Sequence, residues 1–209
     1  MIRQRVIDHG EVFTPPGIVR DMLNLVQQEC ERIESRFLEP ACGDGNFLAE
    51  VLRRKLATVT KRHAGARPKW ERDAVLAVSS LYGIDLLPDN VEACRARLLA
   101  GVTSVHEATF HEPLPDAVRE VIAYILGQNV VHGDALSFQT AEGCPIVFPE
   151  WSPVNGNQLK RRDFAYDHLL AETHTASMPL FSDLGHDVYL PRPVGEFPPR
   201  HYLKLAEEV

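Results

Sequence analysis

Three short apolar runs in this chain each end on an acid. They are Phe37-Leu38-Glu39, the segment LYGID closing on Asp85, and the segment 129–135 that contains Asp134. Longer stretches with apolar residues at helical spacing separate them. Ile18, Met22, Leu25, Val26 and Cys30 mark a helix over 17–34, and residues 46–60 form another. Residues 70–79, 88–100 and 115–127 read as further helices, the second opening on Pro88 and Asp89. Strands that alternate with helices are joined by crossovers rather than hairpins, and so lie parallel. The expected fold is α/β, a doubly wound, mostly parallel, Rossmann-like sheet.

The remaining segments set the organisation. KRHAGARPK at 61–69 reads as a loop. The run CPIVF at 144–148 ends in the punctuated stretch PEWSPVNGN, and a helix is expected over 159–172. Residues 177–201 carry prolines and no clear period. One domain over 1–175 is therefore expected, with a helical lead-in over 1–36 and a proline-rich C-terminal extension over 176–209.

Composition narrows the functional class. A chain of 209 residues suits one substantial core. No run reaches the roughly 18–20 apolar residues of a membrane span, and MIRQRVIDHGEVF lacks the apolar centre of a secretory signal. Cys30, Cys42, Cys94 and Cys144 form no CxxC pair, so neither a zinc site nor a disulfide framework is indicated, and a reducing, cytoplasmic setting is expected. His106 and His111 with Glu107 and Glu112 match no common ligand spacing in what reads as a loop, and no metal is expected. The net charge of −7 argues against a broad phosphate-binding surface. KRRDF at 160–164 is the local exception and reads as a solvated helix start.

In an open parallel sheet, ligands bind beyond the carboxyl ends of the strands. Gly43 and Gly45 follow the first strand and lead into the helix starting near Asn46, where glycines admit a close backbone approach and a helix N-terminus offers free N–H groups. There is no GxxxxGK[ST], so this turn is not a P-loop. A carboxylate at Asp85 suits the two hydroxyls of a ribose, and one at Asp134 suits an adenine amino group. A glycine turn followed by these two acids describes a site for an adenosine-containing cofactor.

These segments resemble the S-adenosylmethionine-dependent N6-adenine DNA methyltransferases of restriction–modification systems, in the group whose cofactor half comes first. GEVFTPP (10–16), FLEPACGDGNFL (37–48), GIDLLPDN (83–90) and VVHGDAL (130–136) carry the resemblance. It implies a class I methyltransferase sheet and S-adenosylmethionine as cofactor. The residues it implies as holding that cofactor are Thr14, Glu39, Ala41, Gly43, Asp44, Gly45, Asn46, Phe47, Asp85, Leu86, Asp134 and Ala135.

The same resemblance implies an Asn-Pro-Pro-Tyr or Asp-Pro-Pro-Tyr tetrapeptide after the fourth strand. Its oxygens accept the hydrogens of the adenine amine, and its aromatic ring stacks on the flipped base. No such tetrapeptide occurs in the sequence. PEWSP at 149–153 stands at that place, so Glu150 as amine acceptor and Trp151 as stacking surface are the catalytic candidates. About 56 residues follow Pro153, too few for a separate recognition domain, so DNA contacts are expected to come through a partner specificity subunit. Two alternatives stay open: a non-catalytic S-adenosylmethionine-binding regulatory or scaffold subunit, and a methyltransferase acting on RNA or protein.

Overall fold

The structure is a computed structural model that describes residues 14–169 and 192–207. Two short helices, α1 (Pro16–Asn24) and α2 (Gln27–Glu31), precede strand β1 (Phe37–Glu39). Helices α3 (Asn46–His63) and α4 (Arg67–Ser79) lead to β2 (Leu81–Asp85), and α5 (Pro88–Phe110) and α6 (Asp116–Asn129) lead to β3 (Val130–Asp134). The three strands lie parallel in the order β1-β2-β3, with Phe37 opposite Leu81 and Gly83 opposite Val130. The two-residue strand β4 (Gln139–Thr140) closes the edge antiparallel to β3. The chain is thus an α/β protein with a four-stranded, mostly parallel sheet.

Strand side chains alternate between faces, and β2 shows what each face meets. Leu81 and Gly83 look toward the helices, where Leu48, Val51, Leu52, Ala74, Cys94 and Leu98 build the main core. A methyl group on Gly83 would stand 3.0 Å from the Cys42 sulfur, so only glycine lets α3 and the turn before it seat so closely. Tyr82 and Ile84 look the other way and meet Ile146, Phe148 and Tyr166 in a second, smaller cluster.

That second cluster anchors an antiparallel sheet. Strand β5 (Val147–Pro153) pairs along its length with β6 (Gln158–Ala165), and the short strands β7 (Gly195–Glu196) and β8 (Arg200–His201) also pair with β6. Two expectations are corrected here. PEWSP does not follow the strand as punctuation but forms the body of β5, and residues 159–165 are strand rather than helix, with helical turns starting only at 166. The prolines misled because β5 is an edge strand of its sheet, where a missing N–H costs no ladder bond. In KRRDF the strand alternation is carried by charge: Arg161 and Asp163 share a face and pair at 2.6 Å, while Arg162 on the other face pairs with Glu150.

The expected loop at 61–69 shrinks to residues 64–66, because Pro68 sits in the first turn of α4, where its missing N–H is harmless. Helix α5 runs ten residues beyond the expected end, since Asn90, Cys94, Leu98, Val102 and His106 continue one buried stripe at intervals of four. His106 is thus a fully buried helical residue, and His111 caps the helix with φ 56°. The described part of the C-terminal extension returns onto β6. Residues 170–191, most of the proline-bearing segment, lie outside the described residues, as do residues 10–13 of GEVFTPP.

Candidate functional site

A cleft of about 630 Å³ opens at the carboxyl ends of β1, β2 and β3. Its size falls within the usual range of small-molecule sites. The glycine turn forms its floor. Gly43 and Gly45 adopt positive φ (52° and 83°), which bends the chain from β1 straight into α3. Cys42 N–H donates to the Ile84 carbonyl at 2.9 Å, and Gly43 N–H donates to the Asp85 carboxylate at 2.8 Å, so the turn is fastened to β2 twice. Asn46 donates to the Thr14 carbonyl at 2.9 Å and draws the start of the described chain over the cleft.

The acids sit in different environments. Glu39 is half-buried, and desolvation pushes its carboxyl above the usual range, against the pull of the Ala41 N–H. Asp44 pairs through one oxygen with Arg97 at 2.5 Å, while its other oxygen, Oδ1, is buried with no hydrogen-bond partner. Asp85 also accepts from the Leu87 N–H at 2.9 Å and from the Asn90 amide at 3.1 Å, which ties β2 to the start of α5. Asp134 is held below the usual carboxylate range, chiefly by the Leu136 N–H that donates to it at 2.9 Å.

The structure brings together Thr14, Glu39, Ala41, Gly43, Asp44, Asn46, Phe47, Asp85, Leu86, Asp134 and Ala135 on the wall of this one cleft. Gly45 lies just beneath, buried against Cys94. Sequence reasoning missed Val19, Met22, Asn90 and Leu136, which also line the cleft. Asn90 and Leu136 stand inside the quoted motifs. Met22 carried only a helical period, which does not tell a cleft wall from a core face, and Val19 stood outside the stripe read there, although it is Val19 and Leu23 that are buried.

Glu150 and Trp151 do not line this cleft. Both are held by the second sheet. Glu150 is gripped by Arg36 and Arg162, each at 2.5 Å. Trp151 is 8% exposed, donates its indole N–H to Asn129 at 3.0 Å and packs edge-on against Tyr124. An ion-paired carboxylate and a buried ring are not free to receive a base. Trp151 does border a separate hollow of about 320 Å³, with Tyr124, Arg161 and Phe197 among its walls.

The cleft carries four carboxylates and, among the described residues, no Lys, Arg or His on its wall. Among the described residues no group of His, Cys, Asp and Glu could hold a metal ion, and no helix is long and apolar enough to cross a membrane. Comparison with protein-family models, with curated proteins and with solved structures finds no match.

Proposed function

We propose that the cleft binds S-adenosylmethionine. On this reading the chain is the cofactor-binding part of an adenine-N6 DNA methyltransferase of a restriction–modification or related defence system. Three parallel strands, each delivering an acid to one cleft, support a Rossmann-like sheet of the class I methyltransferase type; the strands run in consecutive order with helices on one face and residues of the β5–β6 region on the other, so the second helical layer of the expected doubly wound sheet is not among the described residues.

The observation that carries this reading is the charge of the cleft wall. Glu39, Asp44, Asp85 and Asp134 line it with no described cation among them. A ligand bearing a pyrophosphate would be repelled there, and would find no Lys or Arg among the described residues of the wall to take its oxygens. S-adenosylmethionine has no phosphate and a net positive charge. It offers an ammonium, two ribose hydroxyls and an adenine amino group as donors, and the wall offers carboxylate acceptors. When bound, this cofactor supplies an electrophilic methyl group on sulfur. The residues of the chain then bind and orient it: the glycine turn admits the ligand close to backbone, Asp85 accepts from a ribose hydroxyl, and Asp134 accepts from the adenine amine. Leu86 and Leu136, 60% and 89% exposed, supply apolar surface for the ring.

Grouping the acceptor amine with this cofactor requires oxygen acceptors and a stacking surface, and Glu150 and Trp151 are committed elsewhere. The proposal therefore places the base-holding groups on a partner subunit. The same observation favours a second reading, a non-catalytic S-adenosylmethionine-binding subunit that regulates or scaffolds a complex. Incubation with methyl-labelled cofactor and separate pools of DNA, RNA and protein tests these. Label in adenine of DNA supports the first reading. Cofactor binding with no label in any pool supports the second, and label in RNA or protein replaces the acceptor.

A further inference from the structure

Where α3 passes into α4, residues 61–73 read KRHAGARPKWERD and carry five cations, Lys61, Arg62, Arg67, Lys69 and Arg72, against two acids, Glu71 and Asp73. The fold sorts these charges by depth. Glu71 and Asp73 are 7% and 6% exposed and face inward. Asp73 takes His63 at 2.9 Å and Arg72 at 2.8 Å, and Glu71 lies 3.5 Å from the fully buried His106 and 3.3 Å from Arg67. Arg67 also pairs with Glu112, just beyond α5. Lys61, Arg62 and Lys69 are exposed, and none of them has an ion-pair or hydrogen-bond partner among the described residues. The turn that carries them is fixed from beneath. Trp70 is fully buried and donates its indole N–H to the Thr60 hydroxyl at 2.9 Å, and Ala66 N–H donates to the His63 carbonyl at 2.9 Å.

We propose that this cationic knuckle is a docking surface for an acidic segment of a partner protein. A run of charges is most often a solvated face. Here the turn is held rigidly and its own acids are withdrawn, so three free cations present a positive field on a chain whose net charge is −7. The size and place of the patch favour a short acidic segment over nucleic acid. Duplex DNA carries one charge per about 1.7 Å and would run past the knuckle onto a chain that repels it. The knuckle also lies at the far end of α3 from the glycine turn, about 27 Å away for 18 residues at about 1.5 Å each. A duplex held there is not thereby brought to the cleft. The knuckle shares no residue with the cleft, so docking and cofactor binding stand or fall separately.

Fluorescence anisotropy with a labelled poly-glutamate peptide and with a labelled duplex DNA of mixed sequence, each at low and at high salt, tests this. The native chain should bind the peptide at low salt and release it as salt rises and screens the surface charges. The triple change Lys61→Glu, Arg62→Glu and Lys69→Glu should weaken peptide binding at least about tenfold, and Gln at the same three positions should weaken it by a smaller factor. These side chains hold nothing in place, so the thermal midpoints of both variants should stay within about 2 °C of the native value. Reversing exposed charge elsewhere, with Arg32→Glu and Lys204→Glu, should change peptide affinity by less than about threefold. No binding of the peptide, no loss in the triple variant, or an equal loss in the distant control would overturn the proposal. Tighter binding of the duplex than of the peptide would overturn it in favour of nucleic acid.

Discussion

Gly43 N–H and the Asp85 carboxylate meet at 2.8 Å although 42 residues separate them in sequence. One side chain therefore closes the glycine turn, ties the start of α5 to β2 and presents an acceptor to the cleft. Asp85 has about four acceptor positions as a carboxylate, and backbone and side-chain donors on this chain use three of them. The group assigned to the ribose is also the clasp that shapes the floor beneath it.

Asp85→Ala is accordingly expected to lose stability as well as ligand. It leaves Gly43 N–H and Leu87 N–H without their acceptor, at a cost of about 1–3 kcal/mol. Thermal melting should show a midpoint lower by several degrees in the absence of any ligand. An unchanged midpoint would mean that the clasp contributes nothing and that Asp85 serves the cleft alone.

Gly45 makes a sharper test of the turn. Its φ is 83°, and an added methyl group would stand 2.6 Å from the Cys94 sulfur. Gly45→Ala should cost about 2–4 kcal/mol through backbone strain and overpacking. Trimming the neighbour with Cys94→Ala should recover only part of this, because the Cys94 Cα and Cβ both remain 3.1 Å away. A double-mutant cycle read by urea denaturation should give a favourable coupling between the two changes on the order of 1 kcal/mol. No coupling would show that the turn moves away from α5 when crowded.

Trp151 and Glu150 should behave as structural residues. Trp151→Phe keeps a ring but strands the Asn129 oxygen, which should cost about 1–3 kcal/mol. Trp151→Ala should cost about 3–5 kcal/mol. Cofactor affinity of the folded Trp151→Phe protein, measured by calorimetry, should equal that of the native chain. A loss of affinity at unchanged stability would return Trp151 to the functional site.

Lys55 sets a pH dependence. It is fully buried, donates to the carbonyls of Ile33 and Ser35 and to the Ser80 hydroxyl, and burial lowers its pKa to about 7. Below about pH 7 both folded and unfolded chains hold the proton. Above it the folded chain releases the proton while the unfolded chain, with an ordinary lysine near 10.5, keeps it, so stability rises with pH. Between pH 7 and 8.5 the gain should be on the order of 2 kcal/mol. Above about pH 9 the buried Cys42 thiol, whose pKa is pushed up by Cys94 and by burial, offsets the lysine's gain as the same cysteine ionises in the unfolded chain, so the rise levels off. Urea midpoints across pH 6.5–8.5 should rise for the native chain and stay flat for Lys55→Met.

How far the sequence was legible follows from where one period dominated. LYGID became a strand over Leu81–Asp85, because a short buried run between helices admits little else. The cleft was legible for a related reason: strand-end acids and a glycine turn must converge once the strands lie parallel. The antiparallel sheet was hidden because its strands are written in charges and prolines. Arg161 fills its strand face by hydrogen bonds to Asp163, Tyr124 and Gln128 and by lying over the Phe197 ring at 4.8 Å, contacts that an apolar period does not report. Glu150 gave no sign of its two arginines, one of which, Arg36, lies 114 residues away. Pairings at that range leave no local pattern to read.

The most direct test of the account is a calorimetric titration of the native chain with S-adenosylmethionine, run beside ATP and a nicotinamide dinucleotide. The account predicts saturable one-to-one binding of S-adenosylmethionine and none of the two phosphorylated ligands, which the four carboxylates of the cleft repel. Binding of ATP or the dinucleotide with comparable affinity, or silence from all three, would contradict it.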